Sequence, residues 1–399
     1  MFLTSLNKWL SATTFLSPFN HAPQSLLLDS TAKFSWIRRF ASVGDSYSAG
    51  LGSGDRLDWL CSRYAQSYPN ILHTSLLGDN PNRTHQFLAC SGATSTEVLE
   101  KQIPVLQDNL DLLTMSAGGN DIGLTPILSN CVYQFYMSAE DSCRRAIDEA
   151  RARIANETEL YHNATLLIEA AKPKMNQEYG VIYYTGYAGF FGTDDEICDN
   201  VTWAVWKDVE WTKQYLKREL RRELNDMVHS VNTILHKAVS DAGPNVRFID
   251  YDVHISAAHG RYCEKDVQEP DPNRLGLVFY EWNTVDIGEN QTALQNHTGD
   301  DVPKHSFQGG IARDINKALE GHPDWTFDPD KGFVNKTGIG GVKGEGWLGD
   351  SIHWLLPDSY KRVFHLRPKG HLIVANLVVE DLEREGPGKA KVDGEAEEL

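Results

Sequence analysis

The sequence lacks several features on which common functions depend. It has no run of apolar residues long enough to cross a bilayer as a helix. It has no Cys-x-x-Cys pair and no group of histidines and cysteines with the spacing of a zinc site. Basic residues are few, with 38 Lys and Arg against 55 Asp and Glu, and the net charge is −17. We therefore expect no integral membrane segment and no nucleic acid partner, and we attribute the acidity to solubility.

Cysteines and glycosylation motifs indicate an oxidising compartment. The chain has an even number of cysteines: Cys61, Cys90, Cys131, Cys143, Cys198 and Cys263. Sequential pairing, Cys61–Cys90, Cys131–Cys143 and Cys198–Cys263, is one of the fifteen connectivities that six cysteines allow and the one that we favour. Asn-x-Ser/Thr motifs begin at seven positions: Asn82, Asn156, Asn163, Asn200, Asn290, Asn296 and Asn335. Together these features predict a disulfide-bonded glycoprotein that is extracellular or in the secretory pathway.

Strand and helix patterns alternate along most of the chain. Apolar segments predict strands at 34–46, 85–91, 111–117, 180–187 and 246–250. Helical patterns follow at 57–68, which Pro69 would close, at 140–172, in a long segment that ends near Ser240, and at 370–384. This alternation is typical of a parallel sheet that helices cover on both faces. We predict an α/β fold, a flavodoxin-like three-layer α/β/α sandwich with a mostly parallel sheet of about five strands.

One domain is expected over residues 34–384. Residues 1–33 are interpreted as a leader or a loose extension, although no clean apolar core or cleavage site is evident. Residues 264–349 form a polar insertion, in which residues 279–282 are an aromatic cluster. We interpret this cluster as a hydrophobic anchor, and a substrate platform is the alternative. Residues 385–399 are a charged, Gly-rich tail that we expect to be disordered.

Three predicted strands end in small or polar residues that suit acyl transfer. Ser46 follows the first strand, Gly92 the second and Asn120 the third. Carboxyl ends of parallel strands lie side by side, so one edge would hold a hydroxyl, an unobstructed backbone N–H and a side-chain amide. Ser46 is the candidate nucleophile, and the N–H groups of Ser46 and Gly92 with the amide of Asn120 would bind the oxyanion. Each motif alone is more often a turn.

A general base must come from elsewhere in the chain. His365 lies just before the last amphipathic helix, where a loop can reach over the sheet edge. His353, three residues after Asp350, is the alternative, but no helix start follows it. We therefore favour His365.

In these motifs the chain resembles the SGNH hydrolases, also called the GDSL esterase/lipase family, in the branch of secreted fungal and actinobacterial members. The resemblance covers residues 36–263 and 350–382 and lies in Gly44-Asp45-Ser46, in Gly92, in Gly118-Gly119-Asn120-Asp121 and in His365 with Gly370-His371. It implies that Ser46 and His365 are catalytic and that Ser46, Gly92 and Asn120 form the oxyanion hole.

The chain departs from the family pattern next to the histidine. Arg362 stands where the family has aspartate, and Leu366 stands where it has proline. The group that orients the imidazole is therefore open between the carbonyl of Arg362 and the carboxylates of Asp358 and Asp350.

The expected activity is hydrolysis of a carboxylic ester, of the lipase or esterase type, through an acyl-enzyme. No metal or organic cofactor is expected, because serine chemistry suffices. The substrate would be a small-molecule, lipid or acylated-glycan ester, and a monomer is expected. One alternative is an acetyl or feruloyl esterase that acts on polysaccharide. The other is a catalytically idle glycan- or lipid-binding protein on the same scaffold.

Overall fold

The structure is a computed structural model that describes residues 33–58, 61–132, 141–204, 213–281, 284–286, 325–328, 332–335 and 361–388. Residues 1–32 of the predicted leader, residues 389–399 of the predicted tail and most of the predicted insertion lie outside these ranges. Glu385, where the predicted tail begins, belongs instead to the last helix. The domain boundaries therefore stay predictions.

A five-stranded parallel sheet forms the centre of the molecule. The strands in chain order are β1 (Arg39–Gly44), β2 (Arg56–Asp58), β3 (Arg63–Tyr64), β4 (Thr84–Phe87), β5 (Leu112–Ser116), β6 (Val181–Thr185), β7 (Val246–Ile249), β8 (Trp325–Asp328) and β9 (Gly332–Asn335). The central sheet has the order β4-β1-β5-β6-β7, and its neighbouring strands pair in parallel. Numbered along the chain, these five strands run 2-1-3-4-5, which is the flavodoxin-like order. The predicted fold class is confirmed.

Helices flank the sheet in two groups. The α-helices within the described residues are α1 (Ser46–Ala49), α2 (Tyr68–Ile71), α3 (Ser95–Glu97), α4 (Leu124–Ile127), α5 (Ser142–Ala155), α6 (Glu157–Ala171), α7 (Arg218–Asp241), α8 (Asp252–Ala257) and α9 (Pro368–Glu385). Helix α6 packs against α3, α5 and α7, whereas α9 packs against α2 and α8. Strands β5 and β6 are buried at every residue, because a parallel sheet between two helical layers meets no solvent. Among the described helices, none is both long and apolar enough to cross a membrane.

One predicted helix is wrong. In the described part of residues 57–68, β2 and β3 pair as a short antiparallel hairpin, and a helix begins only at Tyr68. Pro69 lies in the first turn of α2 and so begins a helix instead of closing one. The apolar spacing misled the prediction, since Leu57 is 54% exposed and does not face the core.

Disulfides and the aromatic anchor connect distant segments. The six cysteines are joined as Cys61–Cys90, Cys131–Cys143 and Cys198–Cys263, the pairing favoured from the sequence. In the described part of the predicted insertion, Phe279 and Tyr280 are buried and pair with the segment around residues 363–366. These two residues therefore anchor the segment that carries His365, whereas Trp282 of the predicted cluster lies outside the described residues.

Candidate active site

Ser46 lies at the point where β1 turns into α1. The turn begins at Gly44, whose φ of +126° and close approach to Ser116 leave no room for a side chain. Asp45 caps the helix, and its carboxylate accepts the backbone N–H of Tyr47 at 2.9 Å. Ser46 is therefore the first residue of α1, next to the point where the strand order of the sheet reverses, and it is 8% exposed.

The imidazole of His365 lies in hydrogen-bond contact with this serine. His365 Nε2 is 2.7 Å from Ser46 Oγ, although the two residues are 319 positions apart. His365 is part-buried, and its ring lies 5.1 Å from the ring of Tyr47, centroid to centroid. The structure thus brings together the predicted nucleophile and the predicted base.

A backbone carbonyl faces the other ring nitrogen. His365 Nδ1 is 3.2 Å from the carbonyl oxygen of Val363. A carbonyl can only accept, so this contact places the ring hydrogen on Nδ1 and leaves the lone pair of Nε2 for the serine hydroxyl. The carbonyl of Arg362, one of the groups considered from the sequence, does not orient the ring: it accepts the backbone N–H of His365 at 2.8 Å. Asp350, His353 and Asp358 lie outside the described residues.

A tight turn over residues 362–365 orients the side chain of His365 toward Ser46. Phe364 has φ +67° and occupies the third position of this turn, where type II turns usually have glycine. Its carbonyl accepts the hydroxyl of Tyr47 at 2.9 Å, and its N–H donates to the carbonyl of Tyr280 at 2.9 Å. Its ring packs edge-on against Phe190 and Tyr262 at centroid distances of 4.9 Å and 5.2 Å. Burial of the ring offsets the cost of the left-handed backbone.

The predicted oxyanion donors lie on two adjoining loops. The Asn120 amide donates to the carbonyl of Ala93 at 3.0 Å, next to Gly92, which has φ +83°. One amide hydrogen of Asn120 is used in that contact, and the second remains for a ligand. The carboxylate of Asp121 accepts the N–H of Ser95 at 3.0 Å and so joins the same two loops again. Within the described residues, the backbone N–H groups of Ser46 and Gly92 donate to no protein acceptor.

A buried hydrogen-bond network lies beneath the nucleophile. Asp45 accepts the hydroxyls of Ser116 and Tyr187, each at 2.6 Å. Ser116 Oγ also lies 2.9 Å from Ser48 Oγ, which is 2.8 Å from the hydroxyl of Tyr68. Burial raises the pKa of Asp45 to about 6, although the hydrogen bonds from Ser116 and Tyr187 oppose the shift. Asp45 is thus a carboxylate at neutral pH, held by donors on three segments.

Two parts of this site were not predicted from the sequence. The carbonyl of Val363 has no side-chain signature, since any residue supplies a carbonyl. Tyr187 was assigned only to the end of a strand, although its hydroxyl meets both Asp45 and the N–H of Gly119. A buried tyrosine usually places its hydroxyl on a polar partner, and this tendency was the available signal.

Comparison with known proteins supports the family resemblance. A lipase of Streptomyces rimosus is 37% identical over 117 residues, which are 29% of this chain and 41% of that protein. Lipase 1 of Streptomyces coelicolor is 33% identical over 117 residues, again 29% and 41% of the two chains. The matched region thus spans less than half the length of these two relatives.

Solved structures include two similar Streptomyces proteins. An extracellular lipase of Streptomyces rimosus is 25% identical with a TM-score of 0.45, and the match covers 57% of this chain and 85% of that one. A phospholipase A1 of Streptomyces albidoflavus is 24% identical with a TM-score of 0.42, over 56% and 81% of the two chains. The model of the GDSL-like lipase/acylhydrolase family matches residues 42–269, more than half of the chain. The chain therefore belongs to the GDSL-like lipase/acylhydrolase family.

Proposed function

We propose that the protein is a serine hydrolase that cleaves carboxylic esters through an acyl-enzyme, with Ser46 as nucleophile and His365 as general base. The observation that carries the proposal is the 2.7 Å contact between Ser46 Oγ and His365 Nε2. A hydroxyl at that distance from a neutral imidazole nitrogen can transfer its proton as it attacks.

The reaction follows from the groups present. His365 Nε2 takes the proton of Ser46 as Oγ bonds to the ester carbonyl carbon, and the carbonyl oxygen becomes an oxyanion. The N–H groups of Ser46 and Gly92 and the free hydrogen of the Asn120 amide stabilise that oxyanion. The intermediate collapses, His365 returns the proton to the leaving alcohol, and an acyl group remains on Ser46. Water then attacks the acyl carbon while His365 Nε2 takes one of its protons. The bond from the acyl carbon to Ser46 Oγ breaks, His365 returns the proton to Oγ, and the carboxylic acid leaves.

The orienting group in this mechanism is the carbonyl of Val363. Its contact with Nδ1 fixes the ring tautomer that leaves Nε2 free to accept a proton. A carbonyl carries a partial charge only, so it stabilises the imidazolium less than a carboxylate would. We therefore propose that this backbone acceptor orients the imidazole of His365 toward Ser46.

Hydrolysis of p-nitrophenyl esters tests the proposal. We expect turnover by the wild type and none above background by Ser46→Ala, whereas Asn120→Ala should lower kcat by about 10²–10³-fold. Ser240→Ala is the matched control, because Ser240 is an exposed serine whose hydroxyl donates to the carbonyl of His236 on α7. Unchanged turnover by Ser46→Ala would refute the assignment.

A substrate series separates the ester classes. We propose aryl and lipid esters of fatty acids as substrates, and the series runs from p-nitrophenyl acetate to palmitate, with acetylated xylan as the polysaccharide arm. Higher kcat/KM on the longer acyl chains supports the lipase assignment. Activity confined to acetate esters and acetylated xylan would favour a deacylase.

We also propose that the protein passes through a secretory pathway and carries N-glycans. Asn82, Asn156 and Asn200 are exposed, whereas Asn163 lies part-buried on α6. We therefore expect glycans at the three exposed positions and none at Asn163. Mass spectrometry of tryptic peptides from the secreted protein, before and after peptide-N-glycosidase, tests this, and unmodified peptides at all three positions would contradict it.

A further inference from the structure

The hydroxyl of Tyr187 lies between the two halves of the candidate active site. It donates to Asp45 Oδ2 at 2.6 Å and accepts the backbone N–H of Gly119 at 3.0 Å. Asp45 precedes Ser46 in the chain, and Gly119 precedes Asn120. One buried oxygen atom therefore joins the nucleophile turn to the loop that carries the oxyanion amide.

The hydroxyl of Tyr187 stays protonated, and its hydrogen points to Asp45. Burial, and then the charge of Asp45, raise the pKa of Tyr187 well above its ordinary value. A neutral phenol has one hydrogen to donate, and the carboxylate of Asp45 is its acceptor, so a lone pair is left for Gly119. The contact with a charged acceptor makes this the stronger of the two hydrogen bonds.

Tyr187 itself is held from two sides. Its backbone N–H donates to Asn232 Oδ1 at 2.9 Å, and Asn232 Nδ2 donates to its carbonyl at 2.7 Å. Its ring packs edge-on against Tyr47 with centroids 5.2 Å apart. A methyl group added at Gly119 would lie 3.2 Å from the ring, so the loop already touches it. Asn232 lies on α7, so its two hydrogen bonds attach the backbone of Tyr187 to a long helix. The position of Tyr187 therefore does not depend on the Gly119–Asn120 loop.

We propose that Tyr187 is a positioning residue for ester hydrolysis, which holds the Gly119–Asn120 loop at the distance from Ser46 that the oxyanion requires. This inference rests on the proposed function. Without the hydroxyl, the buried N–H of Gly119 has no acceptor and the loop must shift to find one. A shift of about 1 Å in a catalytic group can cost about 10²-fold in rate.

The substitution Tyr187→Phe tests the proposal, because it removes one oxygen atom and keeps the ring. We expect kcat to fall by about 10–100-fold while KM changes by less than about 2-fold, since Asn120 acts on the transition state more than on bound substrate. Tyr183→Phe is the matched control: Tyr183 is also buried and donates to a carboxylate, Asp381, at 2.7 Å, on α9. The control should lose comparable thermal stability and keep kcat within about 2-fold.

A double-mutant cycle with Asn120→Ala distinguishes positioning of the amide from a purely structural role, because it compares the effect of Tyr187→Phe on kcat with and without that amide. If Tyr187 acts through the amide of Asn120, Tyr187→Phe costs kcat less than about 3-fold in the Asn120→Ala background. The variant Gly119→Ala adds a methyl group against the ring of Tyr187, should displace the same loop and should therefore lower kcat as well. This variant keeps the test informative if Tyr187→Phe folds poorly.

The outcomes separate this inference from the proposed function. If the wild type hydrolyses esters and Tyr187→Phe keeps its kcat, or loses as much in the Asn120→Ala background as in the wild type, the positioning role is wrong and the hydrolase assignment stands. A folded wild type that hydrolyses no ester in the series contradicts both.

Discussion

The buried histidine His371 should make the protein sensitive to acid, and the effect can be calculated. His371 lies in the first turns of α9 and is fully buried. Its Nδ1 accepts the backbone N–H of Tyr68 at 3.3 Å, so its hydrogen is on Nε2. Burial, and then repulsion from His365, lower the pKa of His371 from 6.5 to about 3. The folded protein therefore keeps this ring neutral at a pH where the unfolded chain protonates it.

The sign of the pH dependence of stability follows from the difference in the pKa of His371 between the folded and unfolded states. Above pH 6.5 neither state binds the proton and His371 contributes no pH dependence. As the pH falls from 6.5 to about 3, the unfolded state gains a proton that the folded state does not take up, so the folded state loses relative stability. The loss is about 1.4 kcal/mol per pH unit, which makes it about 3 kcal/mol at pH 4.5.

The substitution His371→Asn isolates this effect, because asparagine cannot titrate and its amide oxygen can accept the N–H of Tyr68. We expect urea unfolding, followed by tryptophan fluorescence, to show that wild type loses about 3 kcal/mol more than the variant between pH 7.5 and pH 4.5. Asp45, whose raised pKa acts with the opposite sign, is present in both proteins and cancels in the difference. Parallel stability curves for the two proteins over this range would refute the reasoning.

Two further substitutions test the packing around the site. Phe364→Leu should lower kcat by about 10-fold, because the ring that anchors the His365 turn is lost. Phe191→Leu, in the same aromatic cluster, should lower the free energy of unfolding by a similar amount, about 1–3 kcal/mol, and leave kcat within about 2-fold. Equal losses of kcat by the two variants in ester assays would contradict this role of Phe364. Arg221→Met should lower the free energy of unfolding by about 3–5 kcal/mol in urea titrations, since the fully buried guanidinium donates to three backbone carbonyls and to Asp199. A loss below about 1 kcal/mol would show that these acceptors find other partners.

The sequence was informative where burial imposes a continuous pattern. Strands between two helical layers are mostly apolar, so β5 and β6 were predicted to within two residues of their ends. The small and polar residues that follow β1 and β5 marked the edge of the sheet where Ser46 and Asn120 lie. The helix predicted over residues 57–68 failed because the apolar residues at three- and four-residue steps there do not form a buried face, as the exposed Leu57 shows. The described residues form a short hairpin instead, which the Cys61–Cys90 bridge ties to the segment after β4.

Contacts made by the backbone could not be predicted from the sequence. The orienting carbonyl of Val363 is one residue away from the one considered, because the turn uses the carbonyl of Arg362 for the N–H of His365. That turn depends on a left-handed Phe364, and a phenylalanine in a sequence gives no sign of a positive φ. The role inferred for Tyr187 likewise arises from contacts between segments that are distant in the chain.

Labelling with a fluorophosphonate probe tests the central claim most directly, because such probes react with serines that a neighbouring base activates. The account predicts that the wild type and Ser240→Ala are labelled, that tryptic mapping places the adduct on Ser46, that Ser46→Ala is not labelled, and that His365→Ala is labelled about 10²–10⁴-fold more slowly. A folded wild type without an adduct on Ser46, or labelling of His365→Ala at the wild-type rate, would contradict it.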